Sequence, residues 1–133
     1  KLGLNFENPE DKNAVSTVTF GYWDYGEIFG GEDGLNWYPN TATSHWGVIM
    51  DDVQYDNQDI QGKVGGKLAL IDSGNTSIQL PASEFEQLKS YMREQDDTLY
   101  EQKVDEKIIL VSRHKCENLY SVYGDLKFML HKT

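Results

Sequence analysis

Alternating apolar and polar residues dominate the chain and predict strands that bury one face. In the run 17–20, Val18 and Phe20 alternate with threonines, and an Asp/Gly-containing turn at 23–26 then leads into 27–29. We therefore expect a hairpin over 17–29, preceded by a loop at 2–12. The other predicted strands lie within 45–55 (closed by a turn at Asp56-Asn57), 60–71 (a strand pair hinged at Gly65-Gly66), 107–111 and 126–130.

One helix interrupts this pattern in the second half of the chain. Phe85, Leu88 and Met92 fall on one helical face, Ser83 stands where an N-cap is expected, and two glutamates occupy the first turn. An acidic loop over 94–97 is expected to follow. The predicted fold class is therefore mostly β, with antiparallel sheets and one short helix.

Composition and charge narrow the range of functions. The chain has 133 residues, of which 38% are apolar, and this suits a single globular domain. Twenty-two acidic residues against 12 basic ones give a formal net charge of −10, so no basic surface for nucleic acid is expected. The sequence contains no apolar run long enough to cross a bilayer. It opens at Lys1 without an initiator Met, and we expect it to be a processed or excised piece.

The single cysteine, Cys116, has no partner within the sequence for a disulfide. His114 lies two residues before it, but a zinc site needs three or four ligands, so neither a metal nor another cofactor is predicted. Two interpretations stay open. Cys116 is either a free, buried thiol or the partner of a cysteine on a part of the polypeptide that is not present here.

The aspartate pairs and two of the histidines are expected to have structural or solvent-exposed positions and no part in chemistry. The pairs Asp51-Asp52 and Asp96-Asp97 lack the spaced ligand series of a calcium loop and are expected to be solvated turns. His45 and His131 lie beside predicted strands and are expected to be solvated or at the edge of the core.

The segment with the clearest chemical content is 68–77, LALIDSGNTS. Apolar residues lead into Asp72, and a carboxylate there is costly unless hydrogen-bond donors converge on it. Ser73, Thr76 and Ser77 supply hydroxyls, and Gly74 allows a tight turn that presents backbone amides. These residues could hold the Asp72 carboxylate in place by hydrogen bonds and shift its pKa. An ordinary Asp-Ser-Gly turn after a strand is the alternative that the tripeptide alone leaves open.

The flanking segments favour the first interpretation, because 68–77 resembles the second active-site loop of pepsin-like aspartic proteases. That loop reads Asp-Thr/Ser-Gly-Thr/Ser-Ser/Thr after apolar residues, and a proline and a helix follow it. The other segments that resemble this family, in the same order along about 17–130, are EIFGGED (27–33), LNWYP (35–39), WGVIMDDV (46–53), IQLP (78–81), and Cys116 followed by DLKFML (125–130).

The resemblance implies that residues 1–133 are most of the C-terminal lobe of a two-lobed protease. The N-terminal lobe, with the first aspartate, and the last strands would then be missing, as would the cysteine that pairs with Cys116. An alternative alignment places 122–125 on a late family motif and makes the lobe nearly complete. We prefer the first, since the spacing after Cys116 fits it.

The resemblance also implies an aspartic-type endopeptidase whose water is activated between two carboxylates, one of them Asp72. Ser73 would lock the two active-site loops together, and Gly74 and Thr76 would bind the peptide backbone of the substrate. Asn75 departs from the usual Thr or Ser. Its amide either replaces the missing hydroxyl at the carboxylate or marks a lobe that has lost activity. The chain alone is expected to be inactive.

Three hypotheses follow. The first is the C-terminal lobe of an endopeptidase that acts in an acidic setting, either secreted or in a lysosome- or vacuole-like compartment, with peptides and the missing lobe as partners. The second is an inactive pepsin-fold protein that serves as a binding or structural component. The third is a small protease that pairs Asp72 with its symmetry mate in a homodimer. The length suits this third hypothesis, but the pepsin-like segments upstream do not.

Overall fold

The computed structural model describes residues 1–60 and 66–131, and two compact units divide the chain, Lys1–Trp37 and Tyr38–Thr133. The predicted fold class is confirmed, since the described residues form antiparallel pairs of strands with a single α-helix. The elements are β1 (Leu2–Asn5), β2 (Thr17–Phe20), β3 (Gly47–Tyr55), β4 (Gln58–Asp59), β5 (Lys67–Leu70), α1 (Ala82–Gln95), β6 (Tyr100–Val104), β7 (Lys107–Val111) and β8 (Leu126–Leu130), with 3₁₀ turns at Tyr25–Glu27, Gly31–Gly34 and Cys116–Ser121.

In the first unit, β2 pairs with β1 in an antiparallel register that sets Leu2 opposite Phe20. The hairpin predicted over 17–29 is therefore wrong, and so is the loop predicted over the residues of β1. The physical reason lies at Asp24, whose carboxylate accepts a hydrogen bond from the Gly26 N–H at 2.9 Å and caps a 3₁₀ turn. This turn extends to Glu27, the first residue of the expected second strand, and no strand forms over 27–29.

In the second unit, β3 is the central strand and pairs antiparallel with β4, β5 and β8. The predicted turn after β3 is confirmed. Asp56 and Asn57 both have positive φ, 50° and 63°, which is the backbone of a tight two-residue hairpin turn. Of the strand pair predicted within 60–71, β5 is present, while 61–65 lie outside the described residues.

A separate hairpin joins β6 to β7, and β7 and β8 confirm the strands predicted at 107–111 and 126–130. The sequence did not predict β6, since all five of its residues are exposed and its pattern is polar. Asp105, with φ of 55°, makes the turn between the two strands. Backbone pairing with the apolar β7 holds this segment extended despite its weak pattern.

The helix α1 begins and ends differently from its prediction. Pro81 precedes its first residue, and Ser83 lies inside the helix, where its hydroxyl donates to the carboxylate of Glu84, so it is not the N-cap. The predicted loop at 94–97 is wrong for its first two residues, because the helix runs to Gln95. Asp96 is the C-cap that follows the helix. Its backbone is extended, and its N–H still donates to the Met92 carbonyl at 2.9 Å.

The core of the second unit lies between β3 and α1. Val53 and Tyr55 of β3 are 1% and 2% exposed, and they pack with Ile60 and with Leu88 of the helix. The rings of Tyr55 and Tyr91 stack with centroids 6.5 Å apart. Burial of the apolar surface of these side chains stabilises the packing of the helix against the sheet.

An ion pair between the half-exposed Lys67 and the buried Glu84 ties β5 to the start of α1. The Glu84 carboxylate is 1% exposed and accepts from the Lys67 ammonium at 2.5 Å. Hydrogen bonds from Lys67 and then Ser83 lower the pKa of Glu84, although its burial acts in the opposite direction. Because a buried charge without a partner is costly, this pair fixes β5 against the helix.

The Asp96 cluster (Asp96, Thr98, Tyr123 and His114) joins the end of α1 to the segment before β8. The Asp96 carboxylate accepts from the Thr98 N–H at 2.9 Å, from the Thr98 hydroxyl at 2.6 Å and from the Tyr123 hydroxyl, and His114 Nε2 lies 3.5 Å away. The hydrogen bonds of Thr98 and then Tyr123 lower the pKa of Asp96 to about 2.

Next to this cluster, the Tyr55 hydroxyl accepts from the Gly124 N–H at 3.0 Å and donates to Gln95. Burial raises the pKa of both Tyr55 and Tyr123, so both remain donors. The sheet, the end of the helix and the segment leading into β8 thus share one set of polar contacts.

Both predictions of solvated aspartate turns are wrong in part. Asp96 is 5% exposed and lies in the cluster, because its position at the end of α1 turns it towards Tyr123. Asp51 and Asp52 lie within β3, where the register shifts between Met50 and Asp52 as β3 pairs with β8. His131 Nδ1 lies 3.0 Å from the Asp51 carboxylate.

The first testable prediction concerns Asp96→Asn. The folded-state pKa of about 2 lies below the ordinary value of 3.8, so the carboxylate stabilises the fold above about pH 4 and loses this effect as the pH falls through 2. We expect the variant to be less stable than the wild type at pH 5 to 7 and to approach it between pH 4 and 2. Urea denaturation at a series of pH values measures this. Asp97→Asn, at the exposed neighbouring position, is the control. A stability difference between Asp96→Asn and the wild type that stays constant down to pH 2 would contradict the low pKa of Asp96.

The second prediction concerns Gly47→Ala at the start of β3. A Cβ at this buried position would lie 2.7 Å from the Ala42 Cβ and 2.8 Å from the Leu68 Cδ1. We expect a loss of about 1–3 kcal/mol of stability from overpacking. Adding Leu68→Ala removes one of the two clashes and should recover part of the loss, which a double-mutant denaturation cycle measures. If Gly47→Ala has the same free energy of unfolding as the wild type, the loop at 40–46 moves to accommodate the added methyl group without cost.

Candidate active site

Asp72 follows β5 by two residues and is exposed, as are Ser73, Gly74 and Thr76, whereas Asn75 is half-buried. β5 pairs with β3 from Gly47↔Leu70 to Met50↔Lys67, and one further ladder contact, from the Ile71 N–H to the Trp46 carbonyl at 2.8 Å, extends the pairing. Asp72 therefore lies at the end of the sheet. This agrees with the sequence prediction that the apolar residues 68–71 form a strand leading into Asp72.

Backbone groups hold the turn after Asp72. Its carboxylate Oδ1 accepts from the Gly74 N–H at 2.9 Å, and its carbonyl accepts from the Asn75 N–H at 3.2 Å. A Cβ on residue 74 would lie 3.2 Å from that same Oδ1, a tight contact that favours glycine. The role predicted for Gly74, a close turn that presents its amide, fits this geometry.

The hydroxyls predicted to converge on Asp72 do not reach it among the described residues. The Ser77 hydroxyl donates to Asn75 Oδ1 at 3.5 Å, and within the described chain the Asp72 carboxylate accepts one hydrogen bond, from the Gly74 backbone N–H. Because Asp72 is exposed, water can satisfy the remaining lone pairs, and the cost of desolvation that motivated the prediction does not arise.

A surface groove adjoins Asp72. It has a volume of about 420 Å³ and is lined by Asn40, Thr43, Ser44, His45, Trp46, Leu70, Ile71 and Asp72. We call it the Asp72 groove. One wall is the end of β5, and the other is the loop at 40–46, which ends at β3.

Backbone and amide contacts fix the loop wall of the groove. Asn40 Oδ1 accepts from the Gly47 N–H at 2.9 Å and from the Ala42 N–H at 3.2 Å, and the Gly47 carbonyl accepts from the Thr41 N–H at 2.8 Å. This closes the loop on the first residue of β3. At its far end, the Ser44 hydroxyl lies 2.8 Å from His45 Nδ1.

Sequence reasoning did not connect His45 with Asp72. The bond from the Ile71 N–H to the Trp46 carbonyl extends the β3–β5 pairing, and the next residue of each segment, His45 and Asp72, lines the Asp72 groove. The pairing of the two strands carries this information, and nothing in either segment alone indicates it. Of the two environments expected for His45, solvated or at the edge of the core, the structure shows the first, since its side chain is exposed.

A larger cavity of about 960 Å³ lies elsewhere in the same unit, between α1, β7 and the segment that leads to β8. Cys116 lines this cavity, is exposed and forms no disulfide with any described residue. The first interpretation, a free thiol, therefore fits without the burial, and a disulfide with a cysteine elsewhere in the protein stays a prediction. Its 3₁₀ turn, Cys116–Ser121, contains no buried residue.

Neither a metal cluster nor a membrane helix emerges from the described part of the chain. No group of three or more His, Cys, Asp or Glu side chains there is arranged to hold a metal ion. Within 1–60 and 66–131, no helix combines the length and the apolar character that a bilayer crossing requires.

Comparison with known proteins places the chain in a family. The profile described as eukaryotic aspartyl protease matches residues 3–130. The chain is 31% identical over 102 residues to cathepsin E of Aquarana catesbeiana, covering 65% of this chain and 25% of that protein. It is 35% identical over 69 residues to cathepsin E-B of Xenopus laevis, covering 47% and 17%. No solved structure matches the chain with significant similarity.

The chain thus spans about a quarter or less of the length of these curated relatives. The family match extends over nearly every element described above, from β1 to β8. The chain belongs to the eukaryotic, pepsin-like aspartyl protease family.

Proposed function

We propose that the complete protein is an aspartic-type endopeptidase and that Asp72 supplies one of its two catalytic carboxylates. The observation that carries this proposal is the Asp-Ser-Gly turn at the end of β5, exposed beside the Asp72 groove in a chain of the aspartyl protease family. Peptides and proteins are the corresponding substrates. Residues 1–133 would be the C-terminal lobe, with the second aspartate on the other lobe.

In this mechanism the two carboxylates share one proton, since two negative charges at such short range cannot both persist. The ionised member takes a proton from a bound water, and the water oxygen attacks the scissile carbonyl. The protonated member donates to the carbonyl oxygen, and a proton then reaches the leaving amine. Because the titration belongs to the pair, neither role is assigned to Asp72 individually.

The turn residues receive supporting roles in this proposal. Ser73, which is exposed, would bond across to the loop of the other lobe. Gly74 and Thr76, also exposed, would offer hydrogen bonds to the peptide backbone of the substrate. Exposure of all three is what such contacts require, since each must reach a group outside this chain.

Exposure of Asp72 also favours inactivity of this chain alone. A single solvated carboxylate beside the groove has no second carboxylate among the described lining residues. Cys116, whose thiol is exposed, would be available to form a disulfide with a cysteine elsewhere in the complete protein.

The setting we propose is an acidic one, either outside the cell or in a lysosome- or vacuole-like compartment. A shared proton is retained best in acid solution, and the low pKa of Asp96 keeps a structural carboxylate charged there.

A second candidate, a pepsin-fold protein that binds without cleaving, is favoured by one observation. The Oδ1 of Asn75 accepts from Ser77, and no described hydrogen bond joins the Asn75 side chain to Asp72. If the carboxylate needs a side-chain donor at position 75, this chain lacks it. The test below separates the two candidates.

The third prediction concerns Asp72→Asn in the complete protein. Removing one member of the dyad should lower peptide cleavage in acid by roughly three orders of magnitude or more, while folding is unchanged because residue 72 is exposed. The measurement is the rate of hydrolysis of a quenched fluorescent peptide between pH 3 and 6, with circular dichroism as the check on folding.

The matched control is Asp105→Asn, an exposed aspartate in the β6–β7 turn, where asparagine also tolerates the positive φ. It should retain wild-type cleavage. Cleavage that survives Asp72→Asn would remove Asp72 from the mechanism. A wild-type protein that binds peptides but hydrolyses none would favour the second candidate.

A further inference from the structure

We infer that the Asp72 groove binds an acidic side chain of the peptide substrate and that His45 is the residue that selects it. This inference rests on the proposed function, since it places a substrate residue beside Asp72. It assigns His45 a role in specificity and none in the chemical step.

Strand register is the first observation. Four residue pairs hold β5 against β3, and the Ile71 N–H to Trp46 carbonyl bond continues the ladder. Beyond this bond the chain bends at His45, and His45 and Asp72 both line the Asp72 groove. A peptide whose scissile bond lies at Asp72 would therefore occupy a groove that His45 also lines.

The chemistry of the lining is the second observation. Leu70 and Ile71 are 55% and 57% exposed and Trp46 is 67% exposed, so apolar surface is available along the groove. The other wall carries the polar side chains of Asn40, Thr43, Ser44 and His45. A glutamate fits both, because its methylenes can pack on the apolar wall while its carboxylate reaches the polar one.

Charge is the third observation. Among the residues that line the groove, His45 is the one that can become positive, and Asp72 is the one that can become negative. An imidazole becomes charged in mildly acidic solution, where its two N–H groups are both donors. The Ser44 hydroxyl, 2.8 Å from Nδ1, can accept from one of them and leave Nε2 for the ligand. A charge-assisted bond to a carboxylate then favours glutamate over the neutral, equally sized glutamine.

The fourth prediction is a test with paired peptides and the complete protein. The peptides share one sequence and carry either Glu or Gln at a single position within three residues of the scissile bond, with each position sampled in turn. At one position we expect kcat/KM at pH 5 to favour Glu, on the order of three- to tenfold, as for an exposed charged contact. In His45→Asn this ratio should fall to about one, and in His45→Lys it should persist.

The control variant is His131→Asn, because His131 is also exposed but lies beside Asp51 and not in the groove. Its Glu/Gln ratio should equal that of the wild type. Binding of the same labelled peptides to Asp72→Asn, followed by fluorescence anisotropy, gives a second ratio that does not depend on cleavage. His45→Asn should abolish the preference for Glu in that background too.

The outcomes separate the two proposals. If Asp72→Asn abolishes cleavage but His45→Asn leaves the Glu/Gln ratio unchanged, the inference about His45 is wrong and the proposed function stands. If His45→Asn slows cleavage of both peptides equally, His45 acts on Asp72 and does not select the substrate. If the wild type cleaves no peptide, anisotropy with wild type and His45→Asn decides the inference, and equal affinity for Glu and Gln peptides overturns it.

Discussion

Four residue pairs, Gly47↔Leu70 through Met50↔Lys67, align β5 with β3, and the position of every group in the candidate site depends on this register. A shift by one residue would turn each side chain of β5 to the other face and move Asp72 away from the loop at 40–46. Gly47 allows the alignment, because its lack of a side chain admits Ala42 and Leu68 at close range. The ion pair between Lys67 and the buried Glu84 then anchors the other end of β5 to the helix.

The same unit is stabilised by carboxylates that resist protonation. Hydrogen bonds lower the pKa of Asp96 to about 2, and those from Lys67 and Ser83 lower the pKa of Glu84. Both groups stabilise the fold above their ordinary pKa values, and they lose this effect only as the pH falls through their lowered ones. Many proteins unfold in acid because such carboxylates become protonated. Here the Asp96 carboxylate remains charged until the pH approaches 2, and the lowered pKa of Glu84 keeps that carboxylate charged below its ordinary range.

The sequence predicted elements well where local pattern and tertiary structure agree. The turn at Asp56-Asn57, the strands β7 and β8 and the helix around Phe85 follow from periodicity and turn chemistry. It failed where partners are distant along the chain: β2 pairs with β1, and the polar β6 is a strand only because β7 lies beside it. Asp96 could not be recognised as buried, since its partner Tyr123 is 27 residues away.

The candidate site shows the same division. The Asp-Ser-Gly turn can be read from adjacent residues, and the Gly74 amide bonded to Asp72 agrees with that interpretation. The neighbourhood of His45 cannot be read in this way, because it follows from the alignment of two strands whose paired residues are some 20 positions apart. The motif of adjacent residues identifies Asp72 as the candidate acid, whereas strand pairing determines which residues surround it.

Exposure of Asp72 bears directly on how the proposed enzyme would work. Two carboxylates share a proton strongly only when they are close and water is excluded, because bulk water weakens their repulsion. In this chain the Asp72 carboxylate is exposed and accepts its described hydrogen bond from the Gly74 amide. The second carboxylate and the exclusion of water must then both come from the other lobe and the bound peptide. In the proposed enzyme this lobe contributes a prearranged turn and a groove, and the acidic dyad exists only once the lobes are joined.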